Sequence, residues 1–204
     1  MTQHYFSAAP DGDFRPREIE VELAGATRTV LTAGGVFSPE QLDRGTAILL
    51  RELPAAETLG RAGAAPVLDV GCGWGPIALD AALESPERDV WAIDVNERSR
   101  ELTRRNVTRL GLTNVHVAAP DEVPADLRFG EIRSNPPIRV GKEALHDILR
   151  TWLPRLDEGG FAHLVVAKHL GADSLQRWIA EEFTGLEVER AARDKGFHII
   201  RIER

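Results

Sequence analysis

The stretch VLDVGCGWGP, residues 67–76, constrains the fold more than any other part of the chain. A short apolar run ends at glycines 71, 73 and 75 and is closed by Pro76. An apolar run bounded by glycines predicts a buried strand, and a proline at the first helical position predicts the helix that follows, PIALDAALES. The same alternation continues down the chain. DVWAIDV, NVHVAA, FGEIRS and GGFAHLVVAK read as further strands. ERSRELTRRNVTRLG, KEALHDILRTWLPRL and ADSLQRWIAEEF read as helices, the first stopped by Gly111 and the second carrying Leu145, Ile148, Leu149 and Trp152 on one stripe. LEVERAA and GFHIIRIER form a terminal antiparallel pair. Strands alternating with helices predict a doubly wound α/β fold, a mostly parallel seven-stranded sheet with an antiparallel C-terminal strand. Ligands of such sheets bind outside the C-terminal ends of the strands.

Upstream, EIEVEL and TRTVLT alternate around AGA, which predicts a hairpin near residues 18–32. SPEQLDRGTAILLREL then predicts a helix, with Ser38 as N-cap, Pro39 at its first position and Gln41 closing a capping box. Hairpin and helix make an N-terminal extension over residues 1–60, packed on a main domain over residues 61–204, with PAAETLGRAGAAP as connector and the first fifteen or so residues loosely ordered.

Composition narrows the function. The net charge of −7 argues against generic charge-driven binding to nucleic acid, which needs many cations to displace counterions, but leaves room for a local basic patch. Cys72 is the single cysteine, so a disulfide framework is excluded and a reducing, cytoplasmic compartment is expected. No run approaches the length of a membrane span, no signal peptide is legible, and the six histidines show no metal-ligand spacing.

The glycine spacing separates two kinds of cofactor. A dinucleotide fingerprint needs G-x-G-x-x-G with a helix start aimed at a pyrophosphate. Here the glycines alternate, Pro76 follows, and Asp69 stands ahead of the loop, where a carboxylate suits a cation better than a phosphate. Asp94, about 20 residues past the glycines, is placed to accept from ribose hydroxyls. Asp121, after the third strand, is placed to accept from an adenine amine. Acids around a glycine loop describe a positively charged nucleoside without phosphate, which is S-adenosylmethionine. A nicotinamide dehydrogenase is disfavoured by Pro76 and by the lack of an evident proton donor.

These motifs resemble those of the class I, Rossmann-like methyltransferases. The resemblance implies that Asp69, Gly71, Cys72 and Gly73 meet the methionine part and that Asp94, with Val95 and Asn96 beside it, meets the ribose. Cys72 is expected to be small and buried.

SNPPIRVG follows the fourth strand. Each proline fixes φ, and a residue before proline is driven to extended geometry. Asn135 is thereby held by the chain, and its side-chain oxygen and the Pro136 carbonyl can face one point as two acceptors. Two acceptors suit an exocyclic amine, whose lone pair is otherwise delocalised into its ring. The sequence here resembles the amino-methylating branch with an Asn/Asp-Pro-Pro-aromatic motif, and is similar to the methyltransferase small domain of the 16S ribosomal RNA guanine-N2 group, over roughly residues 31–204. That resemblance rests on GVFSPEQLDRGTAILL, VLDVGCGWG and SNPP. It implies catalytic roles for Asn135, Pro136 and Pro137, and substrate-side roles for Phe37, Asp43, Thr46, Ile138 and Arg139. As cations after the turn, Arg139 and Lys142 are also able to take an RNA phosphate.

Two departures bear on the substrate. Ile138 stands where the family has an aromatic residue that stacks on the target base, and Gly130 stands where it tends to have an acid. Trp74 and Phe37 are the aromatic residues left to supply stacking. The two-domain RNA enzymes of the group carry a second copy of the fold, and this chain has one, so a homodimer is one arrangement open to it. The expectation is therefore an S-adenosylmethionine-dependent N-methyltransferase acting on guanine N2 in ribosomal RNA, with the small ribosomal subunit as partner and neither metal nor membrane involved. Alternatives are an amine of a protein glutamine or small molecule, and a non-catalytic cofactor-binding module.

Overall fold

A computed structural model describes residues 13–53 and 65–204, apart from the side chain of Arg139. The expected loose N-terminus, the connector and the boundary near residue 60 therefore fall largely outside the described residues. Nine strands and five α-helices are seen among them, and contacts divide the chain into two compact units.

The first unit takes in residues 1–43 and 68–126. Strands β1 (Arg17–Leu23) and β2 (Ala26–Thr32) form the predicted antiparallel hairpin, turning at Ala24 and Gly25. Strand β3 (Val67–Val70) leads into helix α2 (Pro76–Glu84), and β4 (Val90–Ile93), α3 (Glu97–Arg109) and β5 (Val115–Ala118) follow. β4 and β5 pair in parallel. Leu23, Val30, Leu68, Leu79, Ile93 and Leu102 are almost wholly buried here.

The second unit takes in residues 44–67 and 127–204. It holds α1 (Arg44–Glu52), β6 (Phe129–Ser134), α4 (Lys142–Trp152), β7 (Leu156–Ala167), α5 (Ala172–Glu182), β8 (Glu187–Asp194) and β9 (Phe197–Glu203). β6 and β7 are parallel, whereas β9 runs antiparallel to both β7 and β8. The sheet order is β5-β4-β3-β6-β7-β9-β8, the seven-stranded arrangement expected from the sequence. At the start of β7 the register shifts against β6, and a Cβ on Gly160 would stand 2.9 Å from the Asp157 carbonyl oxygen, so only glycine fits.

One expectation is corrected. The helix predicted from Ser38 begins instead at Arg44. Ser38 sits at φ 46°, in the left-handed region, and its hydroxyl donates to the Gln41 carbonyl at 2.7 Å rather than capping a helix. The Pro39 carbonyl is taken by the Arg17 guanidinium at 2.8 Å, so the segment is a turn tied to the hairpin.

Candidate functional site

In the first unit the glycine loop hangs from β4. The amides of Gly71 and Cys72 both donate to the Ile93 carbonyl at 2.9 Å, and Gly75 donates to the Cys72 carbonyl at 2.8 Å. Gly75, at φ 101°, hands the chain to Pro76 at the start of α2. A Cβ there would stand 3.0 Å from Thr103, so both backbone and space demand glycine. The Thr103 hydroxyl in turn donates to the Gly73 carbonyl at 3.0 Å. Gly71 and Gly73 also take positive φ, but a Cβ on either would meet nothing within 4 Å. These two glycines thus face open space, the side a ligand would approach.

The acids divide by role. Asp69 is fully buried, and its Oδ2 accepts from the amide of Ala78 at 3.0 Å, where a carboxylate complements the helix N-terminus. Asp94 accepts from Gly73 N at 2.9 Å through Oδ2 and from Asn96 N at 2.8 Å through Oδ1. Burial pushes the Asp94 carboxyl above the ordinary carboxylate range, against the pull of these two amides. Each carboxylate oxygen has further lone-pair capacity, so the same group can hold ribose hydroxyls. Val95 next to it is an exposed apolar side chain, 49% accessible. Asp121 lies exposed in a short 3-10 turn (Pro120–Glu122) after β5.

Several singled-out residues carry structure. Asn96 is buried, caps α3 by accepting from Arg98 N and Ser99 N, and donates to the Gly35 carbonyl at 3.0 Å. Cys72 is buried, and burial, with the Asp94 and Asp69 charges, pushes its thiol up. Trp74 is a core residue, 2% exposed, with its Nε1 donating to the Ser38 carbonyl, so it cannot stack on a base. Phe37 is 48% exposed. Asn106, which the sequence did not flag, bonds the Leu31 amide and carbonyl and the Trp74 carbonyl, joining α3, hairpin and loop.

In the second unit β6 delivers Asn135 at its C-terminal end. The Asn135 Nδ2 donates to Oγ1 of Thr46, a buried residue of α1, at 3.0 Å. This bond fixes the amide so that Nδ2 faces α1 and Oδ1 is the opposite end. The Pro136 carbonyl accepts from Ile138 N at 2.8 Å across Pro137 (φ −75°, ψ 73°), an inverse γ-turn. Its second lone pair remains for another donor. Val140 N closes onto the Pro137 carbonyl at 3.1 Å, and Gly141, at φ 106°, starts α4. Ile138 is half-buried, Asp43 half-buried just ahead of α1, and the side chain of Arg139 lies outside the described residues. Among the described residues no group of His, Cys, Asp or Glu can hold a metal ion, and no helix is long and apolar enough to cross a membrane.

Comparison with known proteins agrees with this geometry. The model of the methyltransferase small domain matches residues 27–201. An uncharacterized protein of Bacillus subtilis, YbxB, is 33% identical over the full length of both chains. Ribosomal RNA small subunit methyltransferase C of Pseudomonas syringae is 30% identical, covering 100% of this chain but 59% of that protein. Its Aeromonas hydrophila counterpart is 37% identical over 65% of this chain and 37% of its own length. The solved 16S rRNA N2 methyltransferase of T. thermophilus, in complex with AdoMet and guanosine, shares the fold with a TM-score of 0.77 at 23% identity, covering 95% of this chain and 51% of that one. With a family match over most of its length, on a glycine loop, a buried acid after β4 and an Asn-Pro-Pro turn, the chain belongs to the methyltransferase small domain family of class I, S-adenosylmethionine-dependent enzymes.

Proposed function

We propose that this enzyme methylates the exocyclic N2 amine of a guanine in ribosomal RNA. The observation that carries the reading is the orientation of Asn135, whose Nδ2 is engaged by Thr46 at 3.0 Å. Oδ1, at the opposite end of the amide, has the lone-pair capacity to accept a hydrogen bond from an amine. The Pro136 carbonyl accepts the second N–H. Held by both, the nitrogen directs its lone pair away from the acceptors instead of into the ring.

Gly71, Gly73 and Asp94 hold the cofactor, with Val95 against its adenosine and Asp121 towards the adenine amine. Asp69 and Asn96 act one step back, bracing α2 and α3 so that loop and acid keep their places. Bound S-adenosylmethionine supplies an electrophilic methyl on a sulfonium, a good leaving group. With the cofactor bound, the N–C bond would form as the C–S bond breaks, the sulfur keeping the electron pair, and the amine proton would pass to water, so the chain would need no strong base. The rate gain on the protein side is positioning.

The ribosomal RNA target is supported by two relatives named as ribosomal RNA methyltransferases and by the guanosine complex of the T. thermophilus enzyme. Ile138 supports a second reading, an amine of a protein glutamine or small molecule, because it gives apolar contact without the stacking a base receives from an aromatic ring. Labelled-methyl transfer to ribosomal subunits, total RNA and a protein extract separates them. Label in the guanine N2 of small-subunit RNA is the expected result, and label confined to protein would overturn the reading.

A further inference from the structure

The chain has only three lysines, Lys142, Lys168 and Lys195, against 22 arginines among its 25 basic residues. All three stand at one end of the second unit, the end where β6 delivers Asn135. Lys142 is the first residue of α4, which follows the Asn-Pro-Pro turn. Lys168 directly follows β7, which is parallel to β6. Lys195 occupies the turn between β8 and β9. The Lys168 amide donates to the Gly196 carbonyl at 2.8 Å, which ties two of these loops together. Ser134 is level with Leu164. Asn135 is therefore level with Val165, and Lys168 lies three residues, or about 10 Å, beyond it along the strand direction.

Local structure does not account for these positions. Lys142 puts a cation at a helix N-terminus, where the macrodipole disfavours it. Lys195 is held at φ 45°, a left-handed conformation that strains a side-chain-bearing residue. Ala24 occupies the equivalent place of the other hairpin at φ 47°, so the turn geometry does not call for a charge. All three lysines are exposed, and among the described residues none has an ion-pair partner, whereas most surface arginines do.

Three unpaired cations beside an amine-binding turn, in a chain of net charge −7, call for an anion that brings several charges at once. Resting on the proposed function, we propose that Lys142, Lys168 and Lys195 form a phosphate-binding collar. It grips the RNA backbone on the β7 and β9 side of the target guanine. Such a collar also supplies, by charge, part of the hold on RNA that Ile138 does not supply by stacking.

The test uses the full chain and a fluorescent, guanine-containing single-stranded RNA, with affinity read against salt. Each phosphate contact contributes about 0.7 to the slope of log affinity on log salt for a single strand. The triple substitution Lys142→Gln, Lys168→Gln, Lys195→Gln should flatten the slope by about 2 and raise the KM for RNA, with S-adenosylmethionine affinity unchanged. Arg128→Gln, at the other end of β6, should leave the slope as it is. An unchanged slope and KM in the triple variant, with the parent protein binding and methylating RNA, overturns the collar alone. A parent protein that neither binds nor methylates RNA and labels protein instead overturns the collar together with the RNA reading.

Discussion

Thr46→Val isolates what orients Asn135. The substitution keeps the volume of the side chain and removes the oxygen that accepts Asn135 Nδ2 at 3.0 Å. Thr46 is 3% exposed and Asn135 half-buried. Such a bond contributes about 0.5–1.5 kcal/mol net. A bias of about 1 kcal/mol between the two amide orientations is about a fivefold ratio. Losing it takes the productive orientation from about five-sixths of molecules to about half. Orientation alone therefore lowers kcat by less than about twofold, whereas a displacement of Asn135 by 1 Å costs up to about a hundredfold.

The expected result is a kcat reduced between about twofold and a hundredfold. S-adenosylmethionine affinity should stay unchanged and Tm should fall by about 2–8 °C for a loss of about 1–2 kcal/mol. Thr46→Ser, which keeps the hydroxyl, should restore the rate. The decisive arm is the double variant. Once Asn135→Ala has removed the amide, Thr46→Val should cost no further rate, because residues acting through one contact are not additive. Additive losses, or a full rate in Thr46→Val despite lowered Tm, would refute the orienting role and leave Thr46 a packing residue.

Other outcomes follow from the same contacts. Asp94→Asn loses an acceptor towards Gly73 N or Asn96 N and the charge that holds hydroxyls. At about 1.5–3 kcal/mol for hydrogen bonds to a charged group, calorimetry should show cofactor affinity reduced about tenfold to a hundredfold. Gly75→Ala meets both φ 101° and Thr103 at 3.0 Å and should lower stability by about 2–4 kcal/mol in denaturant unfolding, while Gly71→Ala, open around its Cβ, should lose cofactor affinity with a smaller stability cost. His163 is buried in β7, and burial lowers its pKa from 6.5 to about 4, so the folded chain binds fewer protons than the unfolded one between those values. Its contribution is complete above pH 6.5 and is lost as pH falls towards 4. The loss amounts to about 3 kcal/mol at about 1.4 kcal/mol per pH unit, and His163→Phe should flatten that part of the acid limb.

Features set by neighbours in sequence were the legible ones. The strand-glycine-helix unit at residues 67–84 was readable because apolar run, glycines and Pro76 all act within a few residues. The hairpin was readable from its alternation and the Ala24-Gly25 turn. The helix start departs from its local pattern for the same reason that makes such patterns useful. Ser38, Pro39 and Gln41 match a capping box locally, but Arg17, 22 residues away, captures the Pro39 carbonyl and holds the segment as a turn. Asn96, placed near the ribose by resemblance, also caps α3, and an Asn ahead of a helix-forming stretch is a local N-cap signal.

Long-range contacts left no local trace. Thr46 and Asn135 are 89 residues apart, and Asn106 reaches Leu31 across 75. No period or spacing encodes such pairs; they exist because the sheet brings distant segments together and a buried amide must find partners. The same requirement separates the Asn-Pro-Pro turn from the glycine loop. The two prolines and an inverse γ-turn set the Asn-Pro-Pro backbone by covalent geometry, so its sequence could be interpreted in isolation. The glycine loop takes its shape largely from Ile93, Thr103 and Asp94, groups supplied by β4, the helix after it and the turn between them. The Asp94 carboxylate that props the loop is held above its ordinary pKa by burial. Because that burial disfavours the charged form, two backbone amides offset it, and ligand hydroxyls can complete what they begin.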